Sequence, residues 1–197
     1  MSKDISVQYG LAFDLERCIG CSTCIIACKS ENGRESGSGI RVETIGGHHR
    51  DTPAGRHPEL TMHFLPVPCM HCEKPSCADV CPVSAISKRE DGIVLVDSDE
   101  CTGCQACIDA CPYGAIIFDE EDNTVWKCTL CASRIDGGLE PFCQFCCEGE
   151  AIYFGNLLDT QSSIARVITE RKAIALKSEA GTGPSVYYCP TKSGRVE

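Results

Sequence analysis

Aromatic side chains are scarce in this 197-residue chain, at 6%, with a single tryptophan (Trp126) and three methionines. Large rings can therefore fill only part of a core, and something else must hold the interior together. Positive charge is also in deficit: 18 Lys and Arg stand against 28 Asp and Glu, a formal net charge of −10. A nucleic-acid surface needs basic patches, so that class is excluded. No stretch approaches the roughly 18 apolar residues of a membrane span. Met1 to Arg17 carries Asp4, Asp14 and Glu16 and no continuous apolar core, so no secretory signal is visible. Catalytic constellations are missing too: no G-x-S-x-G or P-loop pattern occurs, and the five histidines are scattered.

What the chain has is cysteine. Sixteen of its 18 cysteines form four runs of four: Cys18-x₂-Cys21-x₂-Cys24-x₃-Cys28, Cys69-x₂-Cys72-x₄-Cys77-x₃-Cys81, Cys101-x₂-Cys104-x₂-Cys107-x₃-Cys111 and Cys128-x₂-Cys131-x₁₁-Cys143-x₃-Cys147. In the bacterial ferredoxin run C-x₂-C-x₂-C-x₃-C-P, three thiolates hold one cubane and the fourth reaches a second. Four runs therefore predict four [4Fe–4S] clusters. At about 9% of residues, cysteine would suggest a disulfide scaffold in a secreted chain, but disulfides need no such repetition. Zinc ribbons pair C-x₂-C motifs about 15–20 residues apart, which leaves three- and four-cysteine runs without a reason. Four oxidised clusters at roughly −2 each would bring the holoprotein near −18.

Segments after the runs repeat. Cys81 is followed by Pro82-Val83-Ser84-Ala85-Ile86, a polar turn at Glu90-Asp91-Gly92 and the strand Ile93–Val96. Cys111 is followed by Pro112–Phe118, a turn at Asp122-Asn123 and Val125-Trp126. β-Branched residues bounded by Asp, Asn and Gly read as hairpins. Ala151–Phe154 offers a matching strand after Cys147, and Val7–Phe13 one before Cys18. The expected fold is α+β: two interlocked bacterial-ferredoxin-like modules, made of βαβ-type cluster loops with short hairpins, plus an insertion loop and a C-terminal helix and tail. The outer module takes 1–30 and 125–160, the inner module 66–124, the insertion loop 31–65, and the C-terminal helix and docking tail 161–197. The insertion carries His48-His49, which reads as a solvated or subunit-facing loop with metal binding as the alternative. A helix is expected over Ser162–Lys177, with Asp159 or Ser162 as N-cap. The strand Val186–Tyr188 follows, packing on the body or on a partner.

Applied to paired runs, the bacterial rule assigns the thiolates. The inner runs, joined by one hairpin, pair with each other. Cys101, Cys104 and Cys107 then share a cluster with Cys81, and Cys69, Cys72 and Cys77 share one with Cys111. By elimination the outer runs pair likewise: Cys18, Cys21 and Cys24 with Cys147, and Cys128, Cys131 and Cys143 with Cys28. Lys29 and Lys127, each beside a ligand, are either charges that tune the clusters or solvent-exposed cations.

Cys18-Ile19-Gly20-Cys21, Cys69-Met70-His71-Cys72, Cys101-Thr102-Gly103-Cys104, Cys111-Pro112-Tyr113-Gly114-Ala115 and Lys127-Cys128-Thr129-Leu130-Cys131 resemble the four-cluster iron–sulfur subunit of molybdopterin oxidoreductases of the dimethyl sulfoxide reductase family. The resemblance runs from about Tyr9 to Tyr188. Met70-His71 and Arg89–Asp97 are also similar to the small subunit of the phenol-processing transhydroxylase and its dehydroxylase relatives. The resemblance implies a large catalytic partner with a molybdenum or tungsten bis-pterin site. It also implies a cubane at the third run, since Cys104 stands where some members lose a cysteine and hold a three-iron cluster. Two features depart from the pattern: Glu148 follows Cys147 where proline is usual, and Cys146 is an extra thiol. Cys146 is either a buried inert thiol or an exchange ligand for Cys147, and Cys189 reads as a free structural thiol.

The expected function is electron transfer, as a non-catalytic subunit relaying electrons to or from the molybdopterin subunit. The other end would meet a membrane quinol-interacting subunit or a soluble carrier. The alternative is a free-standing polyferredoxin. The cytoplasm is the expected compartment, with co-export on a signal-bearing partner to the periplasm as the alternative. Since clusters replace part of the core, the chain is expected to be largely unfolded after complete iron removal, as read by far-ultraviolet circular dichroism; a native-like spectrum would contradict this.

Overall fold

Apolar residues from Tyr9 onward make the central strand of the computed structural model, which describes residues 7–47, 49, 51–192, 194 and 196. In chain order the elements are β1 (Tyr9–Asp14), α1 (Thr23–Glu31), β2 (Ile40–Ile45), β3 (His63–Pro68), α2 (Ser76–Asp79), β4 (Ile86–Lys88), β5 (Val94–Val96), α3 (Ala106–Ala110), β6 (Ile116–Asp119), β7 (Thr124–Lys127), α4 (Ala132–Asp136), α5 (Phe142–Phe145), β8 (Ile152–Asn156), α6 (Ser163–Glu170) and β9 (Val186–Cys189). The result is a small mixed α/β fold. Three two-stranded pairs, β2–β3, β4–β5 and β6–β7, accompany one three-stranded sheet ordered β8-β1-β9.

In that sheet β1 runs antiparallel to β8, from Tyr9↔Asn156 to Phe13↔Ile152. It runs parallel to β9, from Leu11↔Val186 to Asp14↔Cys189. A strand covered on both faces needs a continuous apolar run, and Leu11, Ala12 and Phe13 are all buried. Aromatic pairs lock the register: Tyr9 stacks on Phe154 with ring centroids 5.2 Å apart, and Phe13 on Tyr188 at 5.5 Å. The Tyr188 hydroxyl donates to the Pro66 carbonyl at 2.9 Å, tying the sheet to β3. The tail is thus part of the body.

Two elements differ from the sequence reading. The segment read as an insertion loop contains β2, which pairs with β3 from Ile40↔Pro68 to Ile45↔His63. Arg41 of β2 donates to the carbonyls of Tyr113 and Gly114 at 2.9 and 3.0 Å, fastening this hairpin to the turn after Cys111. Of the histidine pair, His48 lies outside the described residues. The helix expected over Ser162–Lys177 ends at Glu170. Its start is as expected, with the Ser162 hydroxyl accepting from the Ala165 N–H at 3.2 Å. Its end is set by tertiary demand. Asp14 is a buried carboxylate, and a buried charge must be paired; the Arg171 guanidinium reaches it at 2.5 Å. Lys172 then turns left-handed (φ 51°), and Ile174 bridges to Tyr188 instead of continuing the helix.

The central strand generates a prediction. Truncating a buried phenylalanine costs about 3–5 kcal/mol, so Phe13→Ala should markedly lower the urea midpoint at which the visible chromophore bleaches. An unchanged midpoint would mean that the β8-β1-β9 sheet does not support the centres.

Candidate metal centres

The cysteine loops are built by repeated backbone turns. In the first and third runs the chain turns left-handed at Gly20 (φ 68°) and Gly103 (φ 67°), then again at Ser22 (φ 61°) and Gln105 (φ 62°), before α1 and α3 begin. Glycine suits the first of these positions because it lacks the Cβ that would penalise positive φ. The closing turns also match. Three residues after Cys81, Cys111 and Cys147 come Ser84, Gly114 and Glu150, all left-handed. Their N–H groups return to the cysteine carbonyls at 3.2, 3.2 and 2.9 Å. One residue further on, Ala115 and Ala151 donate backbone N–H to the sulfurs of Cys111 and Cys147 at 3.5 and 3.4 Å.

These turns bring sixteen thiols into four groups. Cys18, Cys21, Cys24 and Cys147 line one cavity; Cys28, Cys128, Cys131 and Cys143 a second; Cys69, Cys72, Cys77 and Cys111 a third. The three cavities enclose similar volumes, about 380, 360 and 330 Å³ with their mouths included, as hosts of one kind of group would. The remaining four group around Cys107, whose thiol feels Cys101, Cys104 and Cys81. Each group takes three cysteines from one run and one from another. Among the described residues no three His, Cys, Asp or Glu side chains form a site for a single metal ion.

Burial and mutual repulsion disfavour the ionised form of these thiols. Burial pushes Cys24 up to about 12, with Cys18, Cys21 and Cys147 adding like-charge repulsion. Cys77 is likewise pushed up to about 12 by burial and then by Cys69, while Lys127 opposes the rise. Burial, then Cys128, Cys131, Cys24 and Cys28, holds Cys143 well above the ordinary thiol range. Four such thiols cannot ionise together unaided, whereas a bound cation deprotonates its thiol ligands outright.

Adjacent groups also touch electrostatically. Cys143 of the second group feels Cys24 of the first, and Cys128 of the second feels Cys69 of the third. Cys77 of the third group and Cys107 of the fourth share one apolar cluster, with Ile86, Val94, Ile116 and Val125. The groups therefore follow one another from first to fourth. Alone among the 18 cysteines, Cys21 and Cys104 are exposed, one in each terminal group.

Cys146 is half-buried at the end of α5 and is not among the residues lining the first cavity, where Cys147 sits. Cys189 is fully buried on β9 and lies outside all four groups; burial, and then Asp14, pushes it up to about 11. Glu148 is exposed. The two lysines part company: Lys29 reaches the Glu35 carbonyl at 2.9 Å on an exposed surface, while Lys127 is buried.

Three contributors escape a reading of spacing alone. Thr182, from the tail, opposes the upward shift that burial imposes on the Cys72 thiol and shares a 2.7 Å hydrogen bond with the Tyr113 hydroxyl. Asn32 donates to the Cys28 carbonyl at 2.7 Å and lies 3.8 Å from its sulfur. His71 is buried and accepts the Val94 N–H on Nδ1 at 3.0 Å, so its proton sits on Nε2. Burial, aided by the Lys127 charge, keeps the ring neutral, well below the usual histidine range. Among the described residues that Nε2 has no acceptor. A stranded donor in the Cys69–Cys72 loop fits a sulfide-bearing group, since hydrogen bonds to cluster sulfur are a normal feature of such sites.

Comparison with known proteins agrees with this geometry. A 4Fe–4S dicluster domain family matches residues 60–157, and a 4Fe–4S binding domain family matches 15–32. The chain is 44% identical to a Halobacterium salinarum protein named as the iron–sulfur subunit of a dimethyl sulfoxide reductase, over 96% of this chain and 85% of that one. It is 42% identical to a tetrathionate reductase subunit of Salmonella typhimurium, over 92% and 72%. A polysulfide reductase subunit of Wolinella succinogenes is 36% identical, over 96% and 98%.

The protein belongs to the iron–sulfur subunits of the dimethyl sulfoxide reductase family. It is an electron-transfer subunit that carries 4Fe–4S clusters. Cys147 lines the first cavity and Cys146 does not, which generates a prediction. Cys146→Ser is expected to keep the full iron content and visible spectrum, and Cys147→Ser to lose iron. Retention of all iron by Cys147→Ser would identify Cys146 as the ligand.

Proposed function

We propose that this subunit relays electrons through four [4Fe–4S] clusters between a molybdopterin catalytic subunit and a second redox partner. Cys18, Cys21, Cys24 and Cys147 would hold the first cluster, and Cys28, Cys128, Cys131 and Cys143 the second. Cys69, Cys72, Cys77 and Cys111 would hold the third, and Cys81, Cys101, Cys104 and Cys107 the fourth. The arrangement is two interlocked ferredoxin-like modules. When bound, each cluster supplies reversible one-electron redox chemistry.

The observation that carries this reading is the linear succession of thiol groups, which begins at exposed Cys21 and ends at exposed Cys104. A relay needs a buried middle and two accessible ends. Apolar residues stand open beside both: Ile19 next to Cys21, and Val80 and Val83 around Cys81. The chain's own residues hold the groups close, exclude water from the middle pair, and donate hydrogen bonds to sulfur. The relatives' names support a catalytic partner, since they are subunits of reductases of dimethyl sulfoxide, tetrathionate and polysulfide.

Iron and sulfide analysis of the anaerobically purified protein tests the count. About 16 iron and about 16 acid-labile sulfide per chain are expected, together with co-purification of a large pterin-containing subunit. A stable, redox-active monomer without that subunit would favour a diffusing polyferredoxin instead.

A further inference from the structure

Lys127 ends β7 immediately before Cys128, and its side chain is 2% exposed. Its ammonium donates to the carbonyl of Val94 and, at 3.1 Å, to that of Cys128. Val94 lines the cavity of the third thiol group, and Cys128 lines that of the second. One cation is therefore hydrogen-bonded to the walls of both middle cavities. Among the described residues no carboxylate pairs with it. A buried cation without a counter-charge is costly. Cys128 is its neighbour in the chain, and the Cys77 and Cys128 thiols both feel Lys127. The Val94 backbone is held at both of its polar groups, its N–H donating to His71 and its carbonyl accepting from Lys127, which fixes the ammonium in place.

We propose that Lys127 is a shared electrostatic control point, a single buried cation that raises the reduction potentials of the second and third clusters together. The inference rests on the four-cluster reading above. A positive charge favours the more negative, reduced form of a nearby cluster, and the effect weakens with distance. The middle pair should therefore feel Lys127 far more than the terminal pair. The second and third groups are also the junction between the outer and inner runs, which every relayed electron must cross. A charge shared by both sides shifts them in the same direction, so neither becomes a trap relative to the other.

The test is a redox titration followed by electron paramagnetic resonance on the purified complex, comparing wild type with Lys127→Met and Lys127→Arg. The expected result is a downward shift of two of the four midpoint potentials in Lys127→Met, with the other two unmoved and with wild-type positions restored in Lys127→Arg. If Lys127→Met fails to assemble the middle clusters while Lys127→Arg succeeds, the charge itself is required, and the proposal stands. Four unmoved midpoints, a uniform shift of all four, or equal failure of both variants to load iron would overturn it. The wild-type titration separates the two levels: fewer than four redox centres there would refute the four-cluster reading and this inference with it. Four centres with none displaced in Lys127→Met would refute the inference alone.

Discussion

Crowded sulfur is the constraint on which the rest of this structure depends. Cys24, Cys28, Cys69 and Cys143 sit inside the main apolar core beside Leu11, Phe13, Val67 and Leu130. Cys77 and Cys107 sit inside a smaller one with Ile86 and Val94. Burial raises the resistance of Cys24, Cys77 and Cys143 to ionisation, and neighbouring thiols raise it further. A multivalent cation held by the thiolates offsets both effects, and binding one releases protons and contributes folding free energy. The shortage of aromatic residues and the excess of cysteine are thus one fact. Under the proposed loading, Lys127 extends the same logic: anionic groups on either side would offset the cost of its burial.

The departure at Glu148 has a local account. After Cys81 and Cys111, proline pre-sets φ for the closing turn; after Cys147 the same turn forms without it, with Glu150 in the left-handed position. Arg17 holds this turn from outside. Its guanidinium donates to the Gly149 carbonyl at 3.0 Å and to Glu150 at 2.5 Å. Exposed ion pairs are worth little each, but the carbonyl bond fixes the backbone directly. Arg17 also precedes Cys18, so the residue entering the first run secures the turn that delivers its fourth thiol.

Much of this was legible in the sequence because cysteine spacing and Cys-Pro turns are local signals. Strands β1, β5, β7, β8 and β9 lie where β-branched and aromatic runs place them, and the groups in space coincide with the run arithmetic. The misses have physical causes. β2 alternates apolar and polar residues only over Ile40–Glu43, and its partner β3 lies across a long polar connection, so the pairing leaves no local trace. α6 stops early because a buried carboxylate 157 positions away takes Arg171. Lys127 is indistinguishable by spacing from Lys29; only the packed fold shows that one is buried between cavities and the other faces water.

Sequence separation also orders assembly. The third and fourth thiol groups are complete within Cys69–Cys111, closed by the short pairs β4–β5 and β6–β7. The first group waits for Cys147, and β1 cannot be covered until β8 and β9 arrive from the far end of the chain. Contacts of long sequence separation carry a larger closure cost and form late. The inner runs can therefore organise around their metal before the outer runs close over them. The tail then completes the body: the N–H groups of Glu73 and Lys74 donate to Gly183 and Thr182 at 2.7 and 2.9 Å, and Ser185 donates to Met70 at 2.8 Å. This segment straps the Cys69–Cys77 loop, so the tail adds to the third thiol group, beside Lys127, a support that the inner runs alone do not supply.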